Sequence, residues 1–553
     1  MSNASEARHA CTLEASFATL PVGATPKLHE MTFVSSALQR QTQTTASARI
    51  VTGAQIASRK RIGLGGGGSV PDELSYGGMV VQVVSSLITG TSPATIGGAT
   101  NAFTNISVGD WVRFYRPGSA NNGYWFVTAK GGSNDTLTVV GEHGATITTE
   151  SAGSEAEIAV DSEYDMRWLS VLRAPVWTKA IDVGCVSYFA VSAAGKLQRA
   201  AISLSETGVF AIIGNKLNRS SGDWTAAPIK IGMKILIAGF ATAANNGLKT
   251  VVTVTATDIG FADNLVNEAT PGGAVTVNAN FVTDGFIPGM LVKVSGFATA
   301  SNNDIFRVTD VATTLMTLSV AMTTESAPAG QVRIKGGSYI LNDTNQHTFF
   351  IEREQADAAA GLFQRALGMQ VGAVNVGVTR GIGTTNWTYV GSDVQHGFSV
   401  TAGTGTDHAS STNEVFNGVE NVRRVRIDDV AMGTFPTAFD VTIANNAAPR
   451  EGLGSLGAVS LRNGQMDATI NVTAYYEDDT LPMLNQDFDD VKVSVIFDGS
   501  QGEALALDVL AANVLSAPVT TPGNNQDCTV QASFGAKRDA TLLKTVRVTR
   551  WPN

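Results

Sequence analysis

Cysteines and long apolar runs are scarce in this 553-residue chain, and each scarcity excludes a class of protein. The three cysteines, Cys11, Cys185 and Cys528, lie far apart without a CxxC pair, so they predict no disulfide framework. No stretch of 18 consecutive apolar residues is present, which argues against a membrane-spanning helix. The N-terminus lacks a basic segment followed by an apolar run. We therefore expect a soluble protein without a signal peptide, made in the cytoplasm.

Charged and aromatic residues are also few, at 16% and 7% of the chain. The formal net charge is −10 and the sequence pI is about 5.2. This balance argues against tight nucleic-acid binding, which needs clustered Lys and Arg to displace counterions. It does not exclude a surface past which nucleic acid slides without sticking. The 57 glycines, with abundant Thr, Val, Asn and Ser, favour strands joined by polar turns and predict a mainly β fold.

One pattern occurs three times, at 109–128, 232–252 and 289–309. The third and fifth residues after each opening glycine are apolar, which is typical of a half-buried strand. These residues are Val112 and Phe114, Ile235 and Ile237, and Val292 and Val294. A valine follows four residues beyond each Asn-rich turn: Val127, Val251 and Val308. Each unit of roughly 55–65 residues suffices for a small β-barrel or sandwich.

The Asn-rich turn of each copy, called the repeat turn below, consists of Asn121, Asn122 and Gly123, of Asn245, Asn246 and Gly247, or of Asn302, Asn303 and Asp304. We interpret these residues as tolerating the positive φ that tight turns require. Calcium or glycan contact is the alternative, but the spaced carboxylates that calcium prefers are not nearby.

The repeats predict one parent domain interrupted by inserted modules, because exposed loops of a stable scaffold tolerate large insertions. The expected divisions are the parent domain at 1–91 and 337–553, β modules at 92–160, 207–272 and 273–336, and an unassigned segment at 161–206.

Alternation in the C-terminal part predicts an antiparallel sheet with one buried and one polar face. The expected buried side chains are Met466, Ala468, Ile470, Val472, Ala474 and Tyr476. Candidates for the polar face, which would meet solvent or a wet channel, are Asp467, Glu477, Asp478 and Asp479. Short helices are predicted at 79–88, which is nearly continuously apolar, and at 354–368, where Ala, Leu and Phe recur at helical spacing.

No pattern predicts a catalytic, metal or cofactor site. The glycine run at 63–69 lacks the lysine of a phosphate-binding loop. The six histidines form neither HxH nor HExxH, and Asp407 beside His408 is expected in an exposed polar loop without a nucleophile elbow. The basic trio Arg59, Lys60 and Arg61 could form a nucleic-acid patch, but it is more typical of a solvated loop or an ion-pairing contact.

Four stretches, in their order along the chain, carry a resemblance: "LEASFATLP" at 13–21, "ELSYGG" at 73–78, "HTFFIERE" at 347–354 and "GQMDATINVTAYYEDD" at 464–479. Together with their neighbours they cover about half of the chain. This half resembles the tail tube proteins, also called major tail proteins, of long-tailed phages (siphophages). The large insert departs from the simple members of that family, which are shorter.

The resemblance implies a β-sandwich or barrel-like core whose hexameric rings stack into a tube for genome ejection. It implies a virion tail location, a tape measure protein and a tail terminator as partners, and DNA that passes without specific binding. Arg59, Lys60, Arg61, Gly65 and Gly66 become candidates for subunit or ring contacts. The inserted modules would decorate the outside. The alternatives are an adhesin-like tail protein that binds host glycans through the repeats and, more weakly, a polysaccharide-cleaving enzyme.

Overall fold

The computed structural model describes residues 7–49, 58–89, 94–98, 100–261, 265–356 and 362–552. Strands account for 49% of the structure and helices for 5%, which confirms the mainly β prediction. Within the described ranges, no helix has the length and apolar character needed to cross a membrane.

The strands divide into a core body and three repeat bodies. The core body begins with β1 (Ala7–Leu13), β2 (His29–Glu30), β3 (Gln39–Ala46) and β4 (Arg59–Glu73). The first repeat body contains β5 (Met79–Thr89), β6 (Ala94–Gly97), β7 (Trp111–Tyr115), β8 (Gly123–Lys130), β9 (Thr136–Gly141) and β10 (Glu150–Asp161). Helix α1 (Glu163–Leu172) follows.

The next two repeat bodies are interleaved along the chain. The third repeat body contributes β11 (Ile181–Val186), β12 (Ala190–Val191) and β13 (Leu197–Gln198). The second contains β14 (Ile202–Thr207), β15 (Phe210–Ile213), β16 (Lys216–Arg219), β17 (Lys234–Ala238), β18 (Gly247–Val254), β19 (Asp258–Phe261) and β20 (Ala274–Ala279). The third then resumes with β21 (Leu291–Ser295), β22 (Ile305–Val311), β23 (Leu315–Leu318) and β24 (Gln331–Gly336).

The chain then returns to the core body. Its strands are β25 (Ser338–Leu341), β26 (Phe349–Gln355), β27 (Leu362–Val378), β28 (Thr384–Gly391), β29 (Asp393–Phe398), β30 (Val422–Ile427), β31 (Val430–Ala431), β32 (Pro436–Ala444), β33 (Ala448–Arg450), β34 (Ser460–Arg462) and β35 (Asp467–Tyr475). Helix α2 (Thr480–Asp487) precedes β36 (Val491–Asp498), β37 (Ala504–Ser516), β38 (Val519–Thr520), β39 (Thr529–Ala536) and β40 (Val546–Trp551).

The helix predicted at 79–88 is wrong, because this segment is strand β5 of a closed barrel with the order β10-β5-β6-β9-β8-β7. A short Val-rich apolar run has no periodicity that separates a helix from a strand. The tertiary structure makes this segment a strand, because its backbone pairs with β10 on one side and with β6 on the other.

The helix predicted at 354–368 is also wrong. Residues 357–361 of this segment lie outside the described ranges, and residues 354–355 and 362–368 belong to the paired strands β26 and β27. Ile351, for example, pairs with Ala366. In the described part of the segment, cross-strand pairing overrides the helical spacing of Leu362, Phe363 and Ala366.

The second repeat body is inserted inside the third. Its terminal residues Ile202 and Ala279 pair with each other, so the insert leaves and re-enters its host at neighbouring points. The two sheets have matching orders, β14-β20-β17-β18-β19-β16-β15 and β11-β24-β21-β22-β23-β13-β12. Thus residues 181–198, which the sequence left unassigned, join the sheet of the third repeat body.

Helix α1 lies at the centre of the core body, and all its residues are buried. The Ser162 side chain caps its first turn by accepting a hydrogen bond from the Asp165 amide. Trp168 packs edge-on against Trp387 of β28 at a centroid distance of 5.1 Å. Because Glu163, Arg167 and Ser170 are buried together with its apolar residues, hydrophobic periodicity did not reveal this fully buried helix.

One buried ionic network joins the first repeat body, α1 and the last strand. Asp161 accepts hydrogen bonds from Arg113 Nε at 2.9 Å, Arg550 Nη2 at 2.9 Å and Tyr124 Oη at 2.5 Å. Arg550 also pairs with Asp165 of α1. Burial alone would raise the pKa of Asp161, but Arg113 and Arg550 hold it below its usual range. The carboxylate is therefore charged and shared by two arginines.

We predict that Asp161→Asn lowers stability by roughly 3–5 kcal/mol, because it leaves two buried guanidinium groups undercompensated. Differential scanning calorimetry of the full chain measures the change. Asp182→Asn is the matched control, since Asp182 pairs with Arg333 at the surface and should cost at most about 1 kcal/mol. Equal shifts for the two variants would contradict the assigned role of the network.

A second buried junction centres on His347. Its Nδ1 lies 2.9 Å from Glu142 Oε2 of the first repeat body, and its Nε2 lies 2.7 Å from the carbonyl oxygen of Ala174. Both ring nitrogens face acceptors, so the doubly protonated ring satisfies both contacts. Burial lowers the pKa of His347, but Glu142 and the Ala174 carbonyl outweigh that effect and raise it above 6.5.

Because the pKa of His347 is raised in the folded state, protonation of this ring contributes to the free energy of unfolding. That contribution is complete below pH 6.5 and is lost as the pH rises through the pKa of the folded state. We expect the melting temperature of the wild type to fall as the pH rises through this range. The glutamine of His347→Gln does not titrate, so this variant should lack that part of the pH dependence. His396→Gln at an exposed position is the control. If His347→Gln shows the same dependence of melting temperature on pH as the wild type, His347 is not the group whose protonation stabilises the fold.

Candidate functional site

The outward side of one large core sheet carries almost no charge. Strand pairing places the sheet in the order β3-β4-β28-β27-β32-β35-β39. Cross-strand register defines its outward positions, here called the polar face: Gln39, Gln41, Gln43, Gly67, Ser69, Pro71, Glu73, Thr384, Asn386, Thr388, Val390, Ala373, Asn375, Gly377, Ala438, Asp440, Thr442, Ala444, Asp467, Thr469, Asn471, Thr473, Gln531, Ser533 and Gly535.

The ionisable side chains of the polar face are Glu73, Asp440 and Asp467, all carboxylates. Most of the other side chains are amides and hydroxyls, separated by small or apolar residues, and some bond across strands: Asn375 Nδ2 donates to Asp440 Oδ2 at 2.7 Å and to Thr442 Oγ1 at 3.0 Å. The face is therefore polar and weakly acidic, and it contains no cation that could hold a phosphate.

The opposite side of this sheet is the core. Ala468, Ile470, Val472 and Ala474 are buried, as the alternation predicted. Tyr476, placed with them by the same pattern, is instead exposed, because β35 ends at Tyr475 and the alternation ends with it. Since one side packs against α1, only the polar face is left for solvent or a channel.

The hairpin of β3 and β4 projects past one end of the sheet. Arg59, Lys60 and Arg61 lie there and are exposed, as is every residue of β3. Strand β4 continues from Gly66, which pairs with Gly391, to Arg59, a distance of roughly 23 Å at the usual rise per residue. We call this end the basic rim.

The other end of the same sheet, the acidic rim, carries the opposite charge. Glu477, Asp478 and Asp479 follow β35 and are exposed. Among the described residues, the exposed aromatic side chains are Phe435, Tyr475, Tyr476 and Phe488, and the first three lie at this rim. A cavity of about 490 Å³ between β31 and α2 opens beside them.

The structure separates the acids that the sequence grouped together. Asp467 lies on the polar face, at the end nearest the hairpin, whereas Glu477, Asp478 and Asp479 lie beyond the opposite end. Among the predicted contact residues, Gly66 is buried, and a Cβ there would lie 2.5 Å from Met369 Cε. It therefore serves close packing within the subunit.

The repeat turns are internal clamps. Asn245 is buried; its Nδ2 donates to the Val266 carbonyl and to Glu268 Oε2, both at 2.8 Å, and its Oδ1 accepts from the Val266 amide at 2.9 Å. Asn302 makes the same contacts with Thr323 and Glu325. Asn121 repeats the set with Thr148 and Glu150.

The second asparagine of each turn closes the preceding loop. Asn246 accepts from the Phe240 amide at 2.9 Å and donates to the Phe240 carbonyl at 2.7 Å. Asn303 and Asn122 bond likewise to Phe297 and Arg116. The predicted reason for these asparagines is wrong, because Gly247 alone among the nine turn residues has a positive φ. Side-chain hydrogen bonding explains them instead.

The last position of the third repeat turn fastens that body to the core. Asp304 lies 3.1 Å from Arg423 Nε and 3.0 Å from Arg426 Nη2, both on β30. The second repeat has Gly247 at the equivalent position. Arg307 adds contacts to Asp429 and to Asp508 at 2.9 and 3.0 Å. The sequence signal was the change from Gly to Asp together with the basic strand at 422–427.

The Asp407 and His408 side chains are largely buried, contrary to the prediction, whereas Thr404, Gly405 and Thr406 of the same loop are exposed as expected. Asp407 pairs with Arg8, and the His408 ring packs on His29 with Nε2 2.8 Å from Asp110 Oδ1. The loop is drawn inward by these partners from distant segments. Among the described residues, no group of three or more His, Cys, Asp or Glu side chains could hold a metal ion.

Comparison with known families assigns the chain to one of them. The family model described as phage tail tube protein matches residues 10–536, nearly the whole chain. The chain therefore belongs to the phage tail tube protein family, and it is a structural component of the phage tail. No curated protein matches it.

We predict that Asn245→Ala destabilises the second repeat body by roughly 1–3 kcal/mol, because it removes the three hydrogen bonds by which the buried Asn245 side chain holds the Val266 backbone and Glu268. Hydrogen exchange of the full chain should show faster exchange at Val266 than in the wild type. Asn267→Ala is the control, since Asn267 is exposed and accepts one bond, from Gly214. Unchanged protection at Val266 would contradict the clamp.

Proposed function

We propose that the polar face lines the channel of a tail tube built from stacked hexameric rings of this chain, through which the genome is ejected. The observation that carries the proposal is a broad sheet face that is polar, carries acids only and lies opposite the buried core. Membership of the tail tube family supports it.

The charge pattern of the polar face suits a conduit. DNA binds where Lys and Arg replace its counterions, and the free energy of binding grows with each contact. A wall with Glu73, Asp440 and Asp467 as its charges offers no such replacement. DNA would move along it without specific binding, with low friction from amide and hydroxyl groups.

The edge of the sheet supports ring closure. In the described part of the chain, β3 pairs with β4 alone, so its other side presents free backbone groups. A long, fully exposed edge strand is a template for another strand. We assign it to pairing with the neighbouring subunit, which would close one continuous sheet around the channel.

The two rims support head-to-tail stacking. The cations at Arg59, Lys60 and Arg61 and the acids at Glu477, Asp478 and Asp479 lie at opposite ends of one sheet. In identically oriented rings the basic rim of one would meet the acidic rim of the next. Opposite charges there would fix the direction of stacking.

The repeat bodies are assigned to the outside of the tube, and a tape measure protein and a tail terminator are expected partners. Glycan binding by the repeats receives less support. In the described part of 94–336, the large exposed apolar side chains are aliphatic, without the exposed aromatic ring on which sugars commonly stack. They are Val108, Val140, Ile213, Ile231, Val252, Val266, Val282, Ile287 and Val320.

Negative-stain electron microscopy of the purified full chain tests the proposal. We expect six-membered rings and hollow tubes from the wild type. Arg59→Glu, Lys60→Glu and Arg61→Glu together should leave rings but reduce tube length at least tenfold, because like charges then meet between rings. Adding Glu477→Lys, Asp478→Lys and Asp479→Lys should restore tubes.

Lys216→Glu, an exposed reversal on the second repeat body, is the control and should form tubes normally. If the triple variant forms normal tubes, the proposed contact between the two rims is wrong, but the tube arrangement itself is not. A compact trimer of the wild type, with no rings at any concentration, would overturn the tube arrangement itself.

A further inference from the structure

A cavity of about 370 Å³ lies where all three repeat bodies meet the core. The first contributes Tyr115, the second Leu236 and Leu248, the third Ile287, and the core contributes Tyr339. This volume lies within the range of small-molecule sites, which are commonly found at junctions between domains. The proposed tube function does not use this cavity.

The walls of the cavity are largely aliphatic. Leu236 and Leu248 are half-buried on the second repeat body, and Val282 and Ile287 of the third remain 54% and 47% exposed. These aliphatic side chains lie on opposite walls and do not cover each other, so their apolar surface remains in contact with water. A ligand with an apolar body would cover that surface.

The charge in the cavity is positive. Asp284 lines it but forms a buried ion pair with Arg199, so this pair is neutral as a unit. Lys234 lies on the wall of the second repeat body close enough to interact electrostatically with Asp284. Its ammonium group adds one positive charge that the Arg199–Asp284 pair does not cancel, and a second lysine, Lys179, also lines the cavity.

Two tyrosines add hydrogen-bond donors. Burial, followed by the nearby Tyr339, raises the pKa of Tyr115 to about 12, and burial also raises the pKa of Tyr339. Both phenols are therefore protonated at neutral pH and able to donate to an acceptor. A protonated phenol and an ammonium group together favour an anionic oxygen.

We propose that this cavity binds an amphipathic organic anion, an apolar body of roughly ten to twenty non-hydrogen atoms that carries a carboxylate or sulfonate. The apolar body lies between Leu236, Leu248 and Ile287, and the anionic group faces Lys234. Because its walls come from separate bodies, the bound ligand ties the second repeat body to its neighbours and raises the melting temperature.

Fluorescence titration of the full chain with 8-anilinonaphthalene-1-sulfonate tests the site, with decanoate as competitor. We expect one saturable site and displacement by decanoate. Lys234→Met should weaken binding of this sulfonate roughly tenfold and leave the neutral probe N-phenyl-1-naphthylamine unchanged. Lys230→Met, exposed on the same body outside the cavity, is the control.

Leu236→Gln should weaken both probes, since it removes apolar wall without changing charge. Circular dichroism establishes that each variant is folded. The proposal is overturned if Lys234→Met binds the sulfonate as the wild type does, if Leu236→Gln binds both probes normally, or if decanoate displaces neither. Loss of both probes in Lys234→Met, with folding intact, would overturn the assignment of the charge to Lys234.

Discussion

The shared carboxylate of Asp161 is the constraint on which the arrangement of bodies depends. Asp161 is the last residue of the barrel of the first repeat body and lies two residues before α1, and its carboxylate accepts a hydrogen bond from Arg550 of the last strand. A buried charge of this kind is stable only when its partners are present and correctly placed. The first repeat body, the central helix and the last strand must therefore assemble together, and they orient the large sheet behind the polar face.

The repeats reuse one fold but differ in how they attach. In each, a buried asparagine satisfies backbone groups of a segment more than twenty residues away, which closes the body independently of its surroundings. Attachment to the core depends on other residues: Asp304 and Arg307 of the third body form buried ion pairs with core residues. The second body, whose chain ends pair at its base, is a self-contained insert within the third.

The core divides its chemistry between two sides and two ends of a single sheet. One side packs Trp387 and its neighbours against α1, and the other exposes amides, hydroxyls and a few carboxylates. The ends carry opposite charges. A chain with one buried side, one polar and weakly acidic side, and oppositely charged ends suits the directional conduit proposed for this member of the tail tube family.

The sequence by itself determined the β class, the three repeats, the alternation of β35 and the family, because these depend on local periodicity and on motifs in order. Tertiary structure decided the rest. The segments at 79–88 and 362–368 became strands because distant partners supplied their hydrogen bonds. The first asparagine of each repeat turn forms hydrogen bonds with residues more than twenty positions away. Asp467 begins β35 and residues 477–479 follow its end, so these acids lie at opposite ends of the sheet. Neither spacing nor composition records such long-range pairing.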